Sequence, residues 1–338
     1  MAFRPLSKQV LVITGATSGI GLVTARLAAQ RGARVALCAR NANALRRVVD
    51  DILRRGGEVI GVAGDVANGQ DLERLAKAAV AEWGRIDTWV NNAGVSIYGE
   101  LLEVDEEDHR RLFETNYWGV VHGSRIACNE LRERGGVLIN IGSVLSDRAI
   151  PLQGAYCASK HAVKGFTDAL RMEVEKARLP IAVCLVKPSA IDTPYKDHAK
   201  NYLQVEPKNP APVYAPQVVA EAILTCAERP QRDVFVGLGG RILSAFGNLA
   251  PRLADRYMKL VMFSSQQKAS PAKPKRSALY RGSEDTRERG GYEGHVFESS
   301  EYTKAATRLN RLGAVALAGG VMAAMAFWAK RHSGTRMA

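Results

Sequence analysis

The chain has 338 residues, enough for one large α/β domain, and its 46% hydrophobic and 24% charged residues are those of an ordinary globular protein. Its net charge is +13, and residues 264–338 hold 13 Lys and Arg against 6 Asp and Glu. A basic tail of this kind favours an anionic surface as its neighbour. Without aromatic-basic interleaving or zinc-finger spacing, we expect no nucleic-acid partner. The 5 cysteines, which lack Cys-x-x-Cys spacing, indicate reduced thiols in a cytosolic compartment.

The first elements predict a strand, a glycine-rich turn, a helix and a second strand. An apolar run over residues 9–14 precedes Gly15-Ala-Thr-Ser-Gly-Ile-Gly21, a helical pattern to Gln30 and a second apolar run over 34–39. Such a turn lets the backbone approach a pyrophosphate, and the N-terminus of the helix attracts the negative charge. This predicts a dinucleotide site, although the spacing is Gly-x-x-x-Gly-x-Gly rather than Gly-x-Gly-x-x-Gly.

The end of the second strand indicates which dinucleotide binds. A ribose-binding acid is expected there, but the strand ends Cys38-Ala39-Arg40. Ala39 offers no carboxylate, whereas Arg40 suits a 2′-phosphate because its guanidinium binds oxygens bidentately. A solvated Arg40 is the alternative. The residues favour NADP(H) over NAD(H).

Polar and small residues follow the next two predicted strands. Asp65 ends the strand over 58–64, where it accepts a hydrogen bond from an adenine amine or caps the next helix. Asn92, Ala93 and Gly94 follow the strand over 88–91, and their size allows a flat ligand to approach. Asn116 lies within the mostly helical residues 103–134, a position that disfavours Asn, so a functional role there requires a kink and a water.

The remaining strands are predicted over 137–141, 181–186 and 233–236, with Tyr156 and Lys160 beginning a helix between them. Their spacing puts both side chains on one helix face, where an ammonium would lower the phenol pKa. A surface pair without chemistry is the alternative. Alternating strands and helices predict an α/β fold with a doubly wound parallel sheet (Rossmann fold), a single catalytic domain and a C-terminal helical extension.

Three motifs together resemble the short-chain dehydrogenase/reductase family: Thr-Gly-x-x-x-Gly-x-Gly from Thr14 to Gly21, Asn-Asn-Ala-Gly from Asn91 to Gly94, and Tyr-x-x-x-Lys from Tyr156 to Lys160. The resemblance runs from about Lys8 to Gly237. It implies that Tyr156 is the proton donor or base and that Lys160 lowers its pKa. Ser143 would orient the substrate oxygen, and Asn116 would hold a water of the proton relay.

The resemblance also implies the coenzyme-binding residues and the assembly. No metal is implied, and the family commonly forms dimers or tetramers, so a homo-oligomer is expected. Where the family has Pro-Gly, this chain has Pro188-Ser189, and we expect the added Cβ to shift the nicotinamide-side loop. The coenzyme-binding residues are Thr14, Gly15, Ser18, Gly19, Ile20, Gly21, Arg40, Asp65, Val66, Asn92, Ala93, Gly94, Tyr156, Lys160, Ile191 and Thr193.

Beyond the catalytic domain, residues 1–237, the sequence predicts three further parts. An amphipathic helical extension over 238–263 packs on the domain, covers the active site or lies on a membrane. Residues 264–305 have the composition of a disordered basic linker. Within residues 306–338, the uncharged run from Leu312 to Ala329 is about 27 Å long as a helix, near the minimum for a membrane anchor. A docked helix and a self-associating segment are the alternatives.

These features predict an NADP(H)-dependent oxidoreductase that interconverts a carbonyl and a secondary alcohol on a small lipophilic substrate. The protein would be held by a single-pass C-terminal anchor with its catalytic domain facing the cytoplasm, or it would be cytoplasmic. A non-catalytic NADP-binding scaffold or sensor is one alternative function. An epimerase or dehydratase acting on nucleotide sugars is another, although a clear second substrate domain is missing from the sequence.

Overall fold

The computed structural model describes residues 3–273 and 277–308. Its centre is a parallel sheet of 7 strands in the order β7-β6-β5-β4-β1-β2-β3. This arrangement confirms the predicted doubly wound α/β fold. The strands are β1 (Val10–Thr14), β2 (Arg34–Ala39), β3 (Val59–Ala63), β4 (Thr88–Asn91), β5 (Gly136–Ile141), β6 (Ile181–Pro188) and β7 (Asp233–Val236).

Helices cover both faces of the sheet. The larger ones are α1 (Gly19–Gln30), α2 (Ala42–Arg54), α3 (Gly69–Trp83), α4 (Glu106–Phe113), α5 (Gly119–Leu131), α6 (Gly154–Lys176), α7 (Pro216–Glu228), α8 (Leu238–Leu249), α9 (Pro251–Tyr257) and α10 (Glu301–Arg308). Shorter elements are the helical turns Leu6–Lys8, Val144–Ser146, Tyr195–His198 and Phe263–Ser265, the π-helical segments Glu114–Trp118 and Met258–Met262, and the strands Ile97–Tyr98, Ala190–Ile191, Lys200–Asn201, Val205–Pro207, Val213–Tyr214, Gln267–Pro271 and Val296–Phe297.

The residues of β1 show why a continuous apolar run forms a central strand. Leu11 and Ile13 pack into the hydrophobic cluster on one face of the sheet, and Val10 and Val12 pack into the cluster on the other. Successive side chains of a strand point to opposite faces, so a strand covered by helices on both sides needs apolar residues throughout.

The sheet order fixes where a ligand site lies. β1 pairs with β2 on one side and with β4 on the other, so the chain changes direction across the sheet between β1 and β4. In open sheets of this kind, ligands bind in the crevice beyond the carboxyl ends of the strands at that point. Residues 15–21 and 92–94 both follow strands into this crevice.

The C-terminal part differs from the disordered linker predicted over residues 264–305. Gln267–Pro271 pairs antiparallel with Val205–Pro207, and Val296–Phe297 pairs parallel with Val213–Tyr214. The few apolar residues of the segment anchor it, since Leu279 is fully buried. Backbone pairing and the buried Leu279 therefore hold the described residues of this segment against the domain.

The predicted membrane anchor, from Leu312 to Ala329, lies outside the described residues and stays a prediction. Within residues 3–273 and 277–308, none of the helices combines the length and the hydrophobicity needed to cross a membrane.

Candidate active site

The glycine-rich loop between β1 and α1 is locked onto the loop that follows β4. Thr14 Oγ1 accepts hydrogen bonds from the backbone N–H groups of Asn92 and Ala93, both at 3.1 Å. Asn92 Nδ2 donates back to the carbonyls of Thr14 and Gly15 at 2.9 and 3.1 Å. A Cβ on Gly21 would lie 2.2 Å from Gly15 O, so only glycine fits there. The two loops form a rigid cradle of backbone.

The N-terminus of α1 opens into a cavity of about 190 Å³ above this cradle. Ser18 is the N-cap residue but makes no capping hydrogen bond with its side chain. The N–H of Gly19, the first residue of the helix, donates to Arg287 O at 3.0 Å, and the dipole at this end of the helix favours an anion in the cavity. The walls of this cavity include predicted coenzyme ligands, namely Gly15, Ser18, Gly19, Ile20, Gly21, Arg40, Asp65, Val66, Asn92, Ala93, Gly94 and Thr193.

The far end of the cavity is charged. Arg40 donates from Nη1 to Leu279 O at 3.0 Å and from Nη2 to Ala278 O. Burial lowers the pKa of Arg40, and nearby Asp65 partly offsets this. Asp65 forms an ion pair with Arg111. The positive charge of Arg40 suits a phosphate group, and the Arg40 contacts to the C-terminal segment were not predictable from the sequence.

Thr115 belongs to this cavity although the sequence analysis did not select it. Its Oγ1 is buried without a hydrogen-bond partner among the described residues, and the residue lines the cavity. An unpartnered buried hydroxyl is costly unless a ligand completes it. The N-terminus of α1, the glycine cradle and Thr115 together fit a dinucleotide. In the sequence, the position of Thr115 next to Asn116 was the only indication that it lies at the site.

Asn116 lies in the π-helical segment Glu114–Trp118 between α4 and α5, the irregularity that a functional Asn was expected to require. It is fully buried, and its Oδ1 accepts from Val95 N–H at 2.8 Å. Its Nδ2 donates to Val95 O and Ser159 Oγ at 3.0 and 3.1 Å. A Cβ on Gly94 would lie 3.5 Å from Asn116 Oδ1 and 3.8 Å from Lys160 Nζ. Asn116 and Lys160 therefore approach the same glycine.

Ser143, Tyr156 and Lys160 meet where β5 ends and α6 begins. Ser143 caps the turn Val144–Ser146, and its Oγ accepts from Leu145 N–H at 3.0 Å. Ser143 and Tyr156 line the same cavity, and the Ser143 hydroxyl acts to lower the pKa of Tyr156. Lys160 Nζ donates to Ile141 O at 2.8 Å and lies 5.6 Å from the centre of the Tyr156 ring. The structure thus brings together the three residues that the motifs selected.

The pKa of the phenol differs from the expectation. Burial raises the pKa of Tyr156 to about 12, and this outweighs the lowering by the neighbouring hydroxyls of Ser143 and Tyr195. Burial also lowers the pKa of Lys160 to about 8. The sequence argument considered only the attraction between the two groups. Removal from water disfavours both charged forms, and it dominates here.

A second cavity of about 510 Å³ adjoins the first and opens over Tyr156 and Ser143. Tyr195 is the main polar residue that the sequence analysis missed. Its ring centre lies 5.4 Å from that of Tyr156, and its hydroxyl donates to Gln153 Oε1 at 3.1 Å. Gln153 Nε2 in turn donates to Gln266 Oε1 at 2.7 Å. A tyrosine in a single helical turn gives no periodic signal, which is why it was overlooked.

Two predicted residues support the cavities from outside, and two others line them. Thr14 and Asn116 hold the loops described above and are not among the wall residues of either cavity. Ile191 lines the larger cavity, and Thr193 lines both. Ser189 Oγ donates to Val236 O at 2.7 Å, which ties the loop after β6 to the end of β7.

Comparison with known proteins places these features in a family. A family model described as short chain dehydrogenase matches residues 9–203. The chain is 44% identical over 312 residues to an uncharacterized oxidoreductase, YxnA, of Bacillus subtilis (strain 168), covering 91% of this chain and 88% of that protein. It is 34% identical over 198 residues to a 3-ketodihydrosphingosine reductase of Bacteroides thetaiotaomicron, covering 57% of this chain and 68% of that protein.

Two solved structures share the fold. One is a short chain dehydrogenase/reductase from Burkholderia phymatum in complex with NAD, with a TM-score of 0.65, 26% identity, and coverage of 81% of this chain and 99% of that one. The other is an alcohol dehydrogenase from the archaeon Thermococcus sibiricus complexed with 5-hydroxy-NADP, with a TM-score of 0.59, 26% identity, and coverage of 67% and 95%. These neighbours therefore bind both kinds of dinucleotide.

Proposed function

The chain belongs to the short-chain dehydrogenase/reductase family of oxidoreductases, and we propose that it interconverts a carbonyl and a secondary alcohol with NADP(H). The observation that carries this proposal is the meeting of Ser143 and Tyr156 at the point where the apolar cavity joins the dinucleotide cradle. A carbonyl oxygen placed there would contact two hydroxyl groups, with the coenzyme groove beside it.

The chemistry divides between the coenzyme and the protein. A bound nicotinamide supplies the hydride for the carbonyl carbon, or accepts it in the reverse direction. Tyr156 would give its phenolic proton to the substrate oxygen, and Ser143 would orient that oxygen by a hydrogen bond. Lys160 would stabilise the resulting phenolate. The buried amide of Asn116 would hold a water of the relay through which a proton returns to Tyr156.

Arg40 supports the preference for NADP(H). Its guanidinium lines the same cavity as the glycine loop, whereas the nearby Arg111 is neutralised by its ion pair with Asp65. The corresponding end of β2 carries Ala39 rather than a carboxylate. A dianionic 2′-phosphate would therefore be attracted, while nothing at that position would select a ribose hydroxyl.

The walls of the larger cavity support a lipophilic substrate. Aliphatic and aromatic side chains, including Leu243 and Phe246 of α8, form most of its wall. Polar residues also line it, namely Asn92, Ser143, Gln153, Tyr156, Lys160, Ser189, Thr193, Tyr195 and Asn209. Burial of such walls favours an apolar body on the substrate. The relative from Bacteroides thetaiotaomicron, named a 3-ketodihydrosphingosine reductase, agrees with this class.

Membrane attachment stays part of the proposal. Leu249 and Leu260 are 83% and 76% exposed, and Arg252, Arg256 and Lys259 are exposed beside them. Such a surface suits an anionic membrane interface. A separate test addresses the anchor predicted from Leu312 to Ala329. Extraction with alkaline carbonate should leave the expressed protein in the membrane pellet. Quantitative release into the supernatant would count against it.

The test of function is hydride transfer by the purified protein. NADPH and NADH are each offered with a panel of ketones that runs from short polar to long apolar chains. We expect NADPH consumption with the apolar ketones and a matching amount of alcohol product. Tight NADPH binding with no turnover of any carbonyl or alcohol would instead support the scaffold or sensor.

A further inference from the structure

Residues 277–300, which we call the strap, cross the dinucleotide groove from one rim to the other. The strap follows the main domain in sequence, and neither the family motifs nor the sequence composition assigned it a role. The family model ends at residue 203, well before it. Its contacts place it directly over the coenzyme site.

The first rim of the groove holds the strap through Leu279 and two arginines. The Leu279 side chain is fully buried in a cluster with Val95, Ile97, Leu112 and Ala155. The Leu279 backbone carbonyl accepts from Arg40 Nη1 at 3.0 Å. Further along, Glu284 O accepts from Arg47 Nη2 at 2.6 Å. An apolar anchor and backbone hydrogen bonds thus fix this end.

The opposite rim holds the strap through Asp192 and Glu288. Asp192 Oδ1 accepts from the backbone N–H groups of Gly290 and Tyr292 at 3.1 and 3.0 Å. Glu288 forms an ion pair of 2.6 Å with Arg26 of α1 and accepts from Gln217 of α7 at 3.1 Å. The strap therefore spans the groove between two fixed ends.

Between the rims, the strap touches the groups expected to bind the coenzyme. The N–H of Gly19, the first residue of α1, donates to Arg287 O at 3.0 Å. Arg111, which pairs with Asp65, donates from Nε to Leu279 O at 3.1 Å. Ala278, Gly282 and Ser283 line the cavity together with the glycine loop. The space left for the adenosine half of a dinucleotide is bounded on its outer side by the strap.

We propose that the strap is the outer wall of the dinucleotide site, so that NADP(H) binds beneath it and leaves only after the strap has been released. This rests on the proposed function, because it assumes a dinucleotide in the groove. The ion pair at Glu288 and the buried Leu279 act as the two fastenings. Coenzyme release, rather than the chemical step, is what these residues control.

The test measures coenzyme release directly and needs no substrate. NADPH fluorescence is followed by stopped flow while excess NADP⁺ displaces it from the wild type, Leu279→Ala and Glu288→Gln. Loss of a buried leucine anchor should speed release by about tenfold or more, and loss of the ion pair by about threefold, with a weaker equilibrium affinity in both. Glu293→Gln is the matched control, since Glu293 is 79% exposed on the same strap and pairs only with Lys268 among the contacts described.

A second readout is tryptic cleavage at Arg281 and Arg287, which are exposed on the strap. The proposal predicts that NADP⁺ slows this cleavage. If the strap instead competes with the coenzyme, NADP⁺ will accelerate cleavage and the Leu279→Ala protein will bind NADPH more tightly, which would overturn the proposal. Should Leu279→Ala not fold, Glu288→Gln carries the test.

Two negative results separate this proposal from the proposed function. Unchanged release rates in both variants, with normal NADPH binding, would remove the strap's role and leave the oxidoreductase intact. A wild-type protein that binds no dinucleotide would contradict the oxidoreductase itself.

Discussion

Replacing Arg40 by alanine tests the choice of coenzyme. The Arg40 guanidinium donates to the strap carbonyls of Leu279 and Ala278. Each of these two nitrogens carries a second N–H, which we expect to donate to the 2′-phosphate. Hydrogen bonds to charged groups contribute about 1.5–3 kcal/mol, so loss of the phosphate contact should raise the dissociation constant of NADPH about 10- to 100-fold. NADH lacks the 2′-phosphate, so its binding should lose only the contribution that the Arg40 bonds to the strap make. Its dissociation constant should therefore rise by no more than about threefold.

Isothermal titration calorimetry of NADPH and NADH with wild type and Arg40→Ala measures the change in each dissociation constant. Arg47→Ala is the matched control, because Arg47 also donates to a strap carbonyl, Glu284 O, from the neighbouring helix. We expect Arg47→Ala to raise the dissociation constants of NADPH and NADH slightly and by the same factor. If Arg40→Ala weakens NADPH and NADH by the same factor, Arg40 only supports the strap and the argument for NADP(H) fails.

Three further predictions concern buried groups. Burial lowers the pKa of the Lys160 ammonium from 10.5 to about 8. The unfolded chain therefore binds this proton more tightly than the folded protein does, and below pH 8 the buried charge lowers the free energy of unfolding by its full amount. As the pH rises to 10.5, the wild type should therefore gain up to about 3 kcal/mol of unfolding free energy relative to Lys160→Met, measured by urea titration. Parallel plots of unfolding free energy against pH for the two proteins would contradict the burial of the charge. Tyr195→Phe removes the neighbouring hydroxyl that lowers the Tyr156 pKa, so the rising limb of the pH-rate profile for alcohol oxidation should move to higher pH. An unmoved limb would show that the two hydroxyls are not coupled. Thr115→Val removes a buried hydroxyl without a described partner, so stability in urea should hold while coenzyme affinity falls several-fold by titration; unchanged affinity would show that Thr115 does not reach the coenzyme.

Local patterns were enough to predict the sheet and the motif residues. Leu11 and Ile13 alternate with Val10 and Val12 between the two faces, and this strand would be buried in any covered parallel sheet. The four-residue spacing likewise places Tyr156 and Lys160 on one face of a helix. These features depend on neighbours in sequence, and they agree with the structure.

The differences come from contacts that are distant in sequence. The Arg40 bond to Leu279 joins residues 239 positions apart, so the composition of the strap gave no sign of order. The pKa of Tyr156 depends on burial by the whole site, whereas the sequence showed only its lysine neighbour. Thr115 and Tyr195 were missed for the same reason, because their roles arise from the cavities around them.

The most direct test of the proposed reaction compares wild type with Tyr156→Phe under conditions where both are saturated with NADPH. The account predicts coenzyme affinity within about twofold of wild type and a turnover of the best ketone that falls by about 10²- to 10⁴-fold, the usual contribution of a positioned proton donor. Circular dichroism confirms that the variant is folded. A Tyr156→Phe protein that turns over the ketone at the wild-type rate would contradict the assignment of Tyr156 as the proton donor.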